Sequence, residues 1–273
     1  MEKRIVYAAV VAVVVVAAVV AAGIYLTSPT RVTPGISPQV YLPTQGQVSS
    51  VSPGWKVISL AKFNYSQTVD QVFPGSDAVY QEVAENGNST LVIWVIHFPG
   101  KVEFNQSIPN LAYGRYVLAV NVTGNTTPVD LQPFLKEEQA VMTQRDGVVL
   151  SFPSFLYPQS KNLNLTSFEL SNITTPYGNF TQSAEQLLGP TSAVQLSVFQ
   201  GPNATTLYSY FYGATQGGAR NGTLDGFHYF NFTTQGLTGN VTYVVGQINN
   251  NVVFVQFQGE PQFQVFEFVV RAL

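Results

Sequence analysis

One stretch of this chain is written twice. Residues 64 to 79 read NYSQTVDQVFPGSDAV and residues 179 to 194 read NFTQSAEQLLGPTSAV, an offset of 179 − 64 = 115 that runs on without a gap through Thr90 and Thr205. Eight of the 27 aligned positions are identical, where unrelated chains would share about two over this length. Most of the other pairs are close exchanges, such as Tyr65 with Phe180. A repeat of this kind predicts one supersecondary plan built twice, and it constrains the fold more than any other feature of the chain.

The plan follows from turn and periodicity signals. Thr68-Val69-Asp70-Gln71 and Ser183-Ala184-Glu185-Gln186 both have the form of a capping box with an acid in the first turn, so a short helix is predicted in each copy. Pro74-Gly75 and Gly189-Pro190 then stop it. Strands are predicted over SDAVYQEVAE and TSAVQLSVFQ, then over TLVIWVIHF and TTLYSYFYG, with a turn between the members of each pair. Further on, Gly114 answers Gly226, and later hairpins turn at Asp146-Gly147 and Asn249-Asn250-Asn251. Residues 133 to 140 read as an extra helical turn or two in the first copy. The segment 261 to 273 reads as a closing helix with Phe263, Phe266, Val270 and Leu273 on one face, or as a last strand, since Phe266, Phe268 and Val270 also alternate. The expected class is α+β: two tandem homologous domains, at 55–162 and 163–273, each an antiparallel sheet with one or two packed helices.

What precedes them reads as an address. After Lys3 and Arg4 an uncharged run from Ile5 to Leu26 would span about 33 Å as a helix, enough for a bilayer. Residues 1–26 are therefore expected to be a single-pass transmembrane anchor, with the N-terminus cytoplasmic and the remainder outside. A cleaved signal peptide ending near Val20-Ala21-Ala22 is the alternative, and would make the chain secreted. Residues 27–54, with Pro29, Pro34, Pro38, Pro43 and Pro53 among Ser and Thr, read as an extended stalk. Within it YLPTQGQVSSV is the candidate for a strand donated to another subunit, as in a pilus-type filament.

Twelve asparagines open an Asn-x-Ser/Thr sequon: Asn64, Asn88, Asn105, Asn121, Asn125, Asn164, Asn172, Asn179, Asn203, Asn221, Asn231 and Asn240. Chance would give roughly three, so N-glycosylation of a surface-exposed chain is the expectation, against the plainer reading of Asn and Thr as common strand and turn residues. Charged residues make up only 10% of the chain, and glycans would supply the solubility that charges usually do. A net charge of −3 offers no field for nucleic acid, and the absence of cysteine excludes disulfides and thiolate sites.

Motifs for chemistry are absent. No nucleophile elbow, zincin pair, Walker loop or dinucleotide fingerprint occurs, so no catalytic, cofactor or metal residue is assigned. His97 aligns with Tyr212 and His228 with Tyr116, and a duplicated site would repeat its ligand, so both read as strand-end or solvent-facing imidazoles. Glu82 with Glu85, and Glu137 with Glu138, read as solvated faces rather than a glycosidase pair. A secreted acid hydrolase would need a cleft gathering carboxylates from Glu82, Glu85, Glu103, Asp130 and Glu260. Of the many aromatics, Tyr208, Tyr210 and Tyr212 form a possible outward contact stripe if YSYFYG is a strand.

The element order, helix, antiparallel strands and closing helix, resembles the PsbP-like family of α/β/α sandwiches; that likeness carries no functional residue. In low charge, absent cysteine, sequons and a Val/Ala leader, the chain resembles membrane-anchored exported glycoproteins of thermophilic archaea. Together these readings imply a cell-surface protein without catalytic activity that binds an envelope protein, a glycan or copies of itself.

Overall fold

The computed structural model describes residues 39–273 except 65, 103, 105, 125–128, 216 and 237–238. They fall into two compact units, residues 39–151 and residues 152–273.

The first unit runs β1 (Tyr41–Leu42), α1 (Gln45–Val51), β2 (Lys56–Asn64), α2 (Gln67–Val72), β3 (Ala78–Asn86), β4 (Ser89–His97), β5 (Asn110–Tyr113), β6 (Tyr116–Thr123), α3 (Gln132–Gln144) and β7 (Val148–Val149). Its main sheet has the order β2-β3-β4-β6-β5, all antiparallel, while β1 pairs with β7. Strand parity sorts side chains to two faces. Tyr80, Ala84, Leu91, Ile93, Val95, Leu118 and Val120 pack with Phe134 and Leu135 of α3, while Val79, Ile96, Val117 and Ala119 pack with Val69 and Phe73 at α2. α1 starts at a capping box, in which the Thr44 N–H donates to Gln47 Oε1 at 2.7 Å and the Gln47 N–H donates to Thr44 Oγ1 at 3.3 Å. α3 has a proline in its first turn, where the missing N–H costs nothing.

The second unit runs β8 (Asn164–Thr175), β9 (Gly178–Leu188), β10 (Ser192–Gln200), α4 (Ala204–Ala214), β11 (Arg220–Leu224), β12 (Phe227–Gly236), β13 (Gly239–Ile248), β14 (Asn251–Gly259) and α5 (Phe263–Ala272). Its strand order is β8-β9-β10-β14-β13-β12-β11. Val265, Phe266, Val269 and Val270 of α5 cover one face, and Ala204 and Leu207 of α4 cover the other.

The strand plan β-β-β-β-β-α recurs within each unit, but in a register different from the one the sequence match suggests. The hairpin β3–β4 corresponds to β9–β10: Glu82 faces Ile93 as Glu185 faces Leu196 (185 − 82 and 196 − 93 are both 103). The preceding strand slips register between Val57 and Ser59 in β2 and between Leu165 and Ser167 in β8, each bulge just ahead of the residue opposite that glutamate. The second unit then inserts α4 and the hairpin β11–β12 before its last two strands.

Several expectations are overturned. Strand accounts for 49% and helix for 20% of the described residues, which are therefore mainly β and not the expected α+β arrangement of domains with packed helices. The helix expected at Ser183–Gln186 is the middle of β9, and the strand expected at TTLYSYFYG is α4. The single-pass transmembrane assignment is not supported: among the described residues no helix is long and apolar enough to cross a membrane, and residues 1–26, on which it fell, lie outside them together with 27–38 of the stalk. The last part of the expected stalk is built into the first unit, where Val40, Leu42 and Val48 are buried. The closing segment is a helix, α5.

The attachment of that segment makes a test. A Cβ at Gly147 would run into the Leu42 carbonyl oxygen and lie 2.6 Å from Val141 Cγ1. Gly147→Ala is expected to destabilise the first unit by about 1–3 kcal/mol through overpacking, read as a lower denaturation midpoint. An unchanged midpoint would mean that β1 does not sit there.

Candidate functional site

The least ordinary side chains are three buried glutamates. Glu82 and Glu138 are each 0% exposed and Glu185 1%. Strand parity brings Glu82 to the face of Ala78, Tyr80 and Ala84, under α3. Helical spacing brings Glu138 to the buried side of α3, four residues after Phe134 and three before Val141. No oxygen of either carboxyl has a hydrogen-bond partner. Burial raises Glu82 to about 8, and raises Glu138 well above the usual carboxylate range, with the Glu82 and Glu137 charges adding to the effect. In the second unit Glu185 Oε1 accepts the Tyr157 N–H at 2.8 Å, while Oε2 is unpaired. Burial pushes this carboxyl up to about 8 against the opposing pull of that hydrogen bond.

A second group lies on the α3 face of the first sheet. His97 Nδ1 meets Asp77 Oδ1 at 2.6 Å, the His97 ring lies 5.0 Å from that of Tyr116, and Lys62 Nζ sits 5.5 Å above the Tyr80 ring. Burial lowers the Lys62 ammonium, opposed by Asp77, while burial with the Tyr80 and Asp77 charges raises Tyr116. His97 is thus a buried, paired imidazole rather than a solvent-facing one, whereas His228 is exposed on β12. Of the expected hydrolase carboxylates, Glu85, Asp130 and Glu260 are exposed, Glu82 is sealed in the core, and Glu103 lies outside the described residues.

In the second unit a cavity of about 260 Å³ is lined by Ser183, Val198, Asn251, Phe155 and Leu273, among others. Among the described residues no group of three His, Asp or Glu is placed to hold a metal ion.

The sequons occupy the outside. Asn88, Asn164, Asn172, Asn179, Asn203, Asn221 and Asn240 are exposed, Asn64, Asn121 and Asn231 are half-buried, and Asn105 and Asn125 lie outside the described residues. In a strand the x of Asn-x-Thr turns inward, leaving Asn and Thr together on the solvent face. Two such sequons meet across β8–β9, where Thr181 Oγ1 donates to Asn172 Oδ1 at 3.3 Å and Thr174 Oγ1 to Asn179 Oδ1 at 3.0 Å. Across β12–β13, Thr233 and Thr242, the threonines of the Asn231 and Asn240 sequons, lie 3.1 Å apart.

The tyrosine stripe does not form as expected. On α4, Tyr208 and Tyr212 share a side and pack against Phe230, tilted at 5.3 Å and edge-on at 5.2 Å, while Tyr210 points elsewhere and packs on Tyr177 at 4.6 Å. Tyr212 alone of the three is strongly exposed, and its hydroxyl accepts from Asn221 Nδ2 at 3.3 Å.

The buried glutamates are what sequence reasoning missed, although parity in AVYQEVAE and the spacing Phe134, Glu138, Val141 both signal them. No known family model, curated protein or solved structure matches the chain.

Proposed function

We propose that the chain is an exported, N-glycosylated surface protein that binds or braces other components of a cell envelope and catalyses no reaction. The observation that supports this best is that none of the ten described sequon asparagines is buried, in a chain whose sequons exceed the chance number about four-fold. The outward strand faces are built from Asn, Thr, Ser and Gln in place of Lys and Glu. Glycans on them would hydrate and cover the surface where charges are scarce. The plainer account, in which Asn and Thr are common strand and turn residues, covers Asn88 in the β3–β4 turn and Asn203 at the N-cap of α4 as well, so occupancy of those two sites separates the readings.

The test is peptide mass spectrometry on the protein from its native source. Glycan masses are expected on the exposed asparagines, with Asn88 and Asn203 among them. Bare peptides at all seven exposed sites would end the reading. Affinity capture from the same material is expected to recover an envelope protein or glycan, and the partner would then be mapped on the faces left uncovered.

A further inference from the structure

We infer that Glu82 and Glu138 form a pH-sensitive latch, holding α3 on the sheet of the first unit while both are protonated and releasing it when they ionise.

The geometry carries this in four steps. Both carboxyls are fully buried, one on the sheet and one on the helix that covers it. All four oxygens lack partners, so nothing in the core stabilises a charge there. The titratable side chains that share this face are Lys62 from β2, Tyr80 from β3, His97 from β4, Tyr113 from β5 and Tyr116 from β6. Tyr41 lies on β1, α1 carries no ionisable side chain, and α3 itself adds Lys136 and Glu137. Lys62 is held over Tyr80 beside Asp77, and Glu137, another acid, adds to the rise of Glu138. Finally, α3 has few polar ties: Thr143 Oγ1 to the Tyr113 hydroxyl at 3.3 Å, and Gln47 Nε2 to the Asp146 carbonyl just beyond its end at 2.9 Å. Its buried contacts include the apolar Phe134, Leu135 and Val141. Two carboxylates in that layer would repel each other across a medium that screens poorly.

The second unit supports the assignment by contrast. The buried series on α5, Val265, Phe266 and Val269, matches Phe134, Leu135 and Glu138 in spacing, so a valine stands where α3 has its glutamate. A helix of this plan therefore packs without an acid at that place. The acid in the first unit is an addition that makes the contact respond to protons.

The sign follows from linkage. Below the unfolded carboxylate value of 4.5 both states are protonated and the contribution to stability is complete. Above it the unfolded chain loses protons that the folded chain keeps, and stability falls until the folded carboxyls ionise, for Glu82 at about 8. Through this window the unfolding constant should rise about ten-fold per pH unit for each carboxyl, hence about a hundred-fold for the pair.

The chain's two tryptophans, Trp55 and Trp94, both lie in the first unit, so tryptophan emission during denaturation of the full chain reads that unit alone. The expected result is a steep loss of stability between about pH 5 and 8, with the slope halved by Glu138→Gln and abolished by Glu82→Gln with Glu138→Gln. Gln matches a neutral carboxyl in size and cannot ionise. A wild-type profile flat across this range, or an unchanged slope in the double variant, overturns the latch. Should the double variant fail to fold, the infrared band of protonated carboxyl groups in the Glu185→Gln protein decides: it is expected to persist at neutral pH, and its absence there overturns the proposal.

Discussion

Phe266→Ala is expected to lower the stability of the second unit by about 3–5 kcal/mol, the usual cost of removing a fully buried aromatic ring. The side chain is 1% exposed and its ring centre lies 5.4 Å from those of both Tyr229 and Phe263. Beneath it is Gly246, where a Cβ would come within 2.7 Å of Phe266 Cζ, so the ring fills the hollow left by the missing side chain. A domain is stable by about 5–15 kcal/mol, so this one change removes a large share. The contact also predicts a coupling. Gly246→Ala alone should cost about 1–3 kcal/mol by overpacking, and much less in the Phe266→Ala background, where the colliding ring is gone. Calorimetry of the four proteins measures it; strictly additive losses would show that α5 does not seat its ring on Gly246.

The helix and strand expectations failed where local pattern and tertiary burial disagreed. TTLYSYFYG is rich in aromatic and β-branched residues and reads as a strand, yet Ala204, Leu207, Tyr208 and Phe211 recur at helical spacing and all pack into one cluster with Phe230 and Phe254. The burial of that stripe decided the conformation over intrinsic preference. Ser183–Gln186 can be capped as a helix, but Ser183, Glu185 and Leu187 are buried at strand parity, which a helix would not satisfy. In the first copy the short helix does form, with α2 capped by Ser66 Oγ accepting the Val69 N–H at 3.2 Å, two residues ahead of the expected cap, whereas the hairpin expected at Asp146-Gly147 is the end of α3 followed by β7, which pairs with β1.

The same tension explains the repeat. Five of the eight identities in the ungapped match at offset 115 are Asn, Gln or Thr, such as Asn64 with Asn179 and Asn88 with Asn203; the other three are Ala78, Val79 and Val83 with Ala193, Val194 and Val198. The structural register at offset 103 keeps few identities in its hairpin, but Glu82 with Glu185, Ser89 with Ser192 and Val95 with Val198 are all buried. Polar residues thus supply most of the match in one register, while the recurring strand pairing sits in another. Glu82 and Glu138 were hidden for a related reason. A glutamate reads as solvated by type, and only its position in the parity of its own element reports that it faces inward.

Glu185 isolates the consequence of such burial, because it has one hydrogen bond and no acidic neighbour raising it. Its folded value of about 8 exceeds the ordinary 4.5, so its contribution is complete below 4.5 and is lost as pH rises toward 8. Each ten-fold difference in proton affinity between the folded and unfolded chain is worth about 1.4 kcal/mol, which makes the loss across that window about 3–5 kcal/mol. Glu185→Gln retains an oxygen for the Tyr157 N–H and cannot ionise, so the variant should match the wild type below about pH 4.5 and exceed it by a growing margin as pH rises toward 8. Glu185→Leu also removes the titration but orphans that N–H, so it should sit about 1–3 kcal/mol below the Gln variant at every pH. Near-ultraviolet dichroism of the tyrosines, plentiful in the second unit, follows all three proteins through denaturation. Parallel pH profiles for wild type and Glu185→Gln would mean that the carboxyl ionises normally, whereas divergence above pH ~5 would mark the second unit, like the first, as built to be most stable in acid.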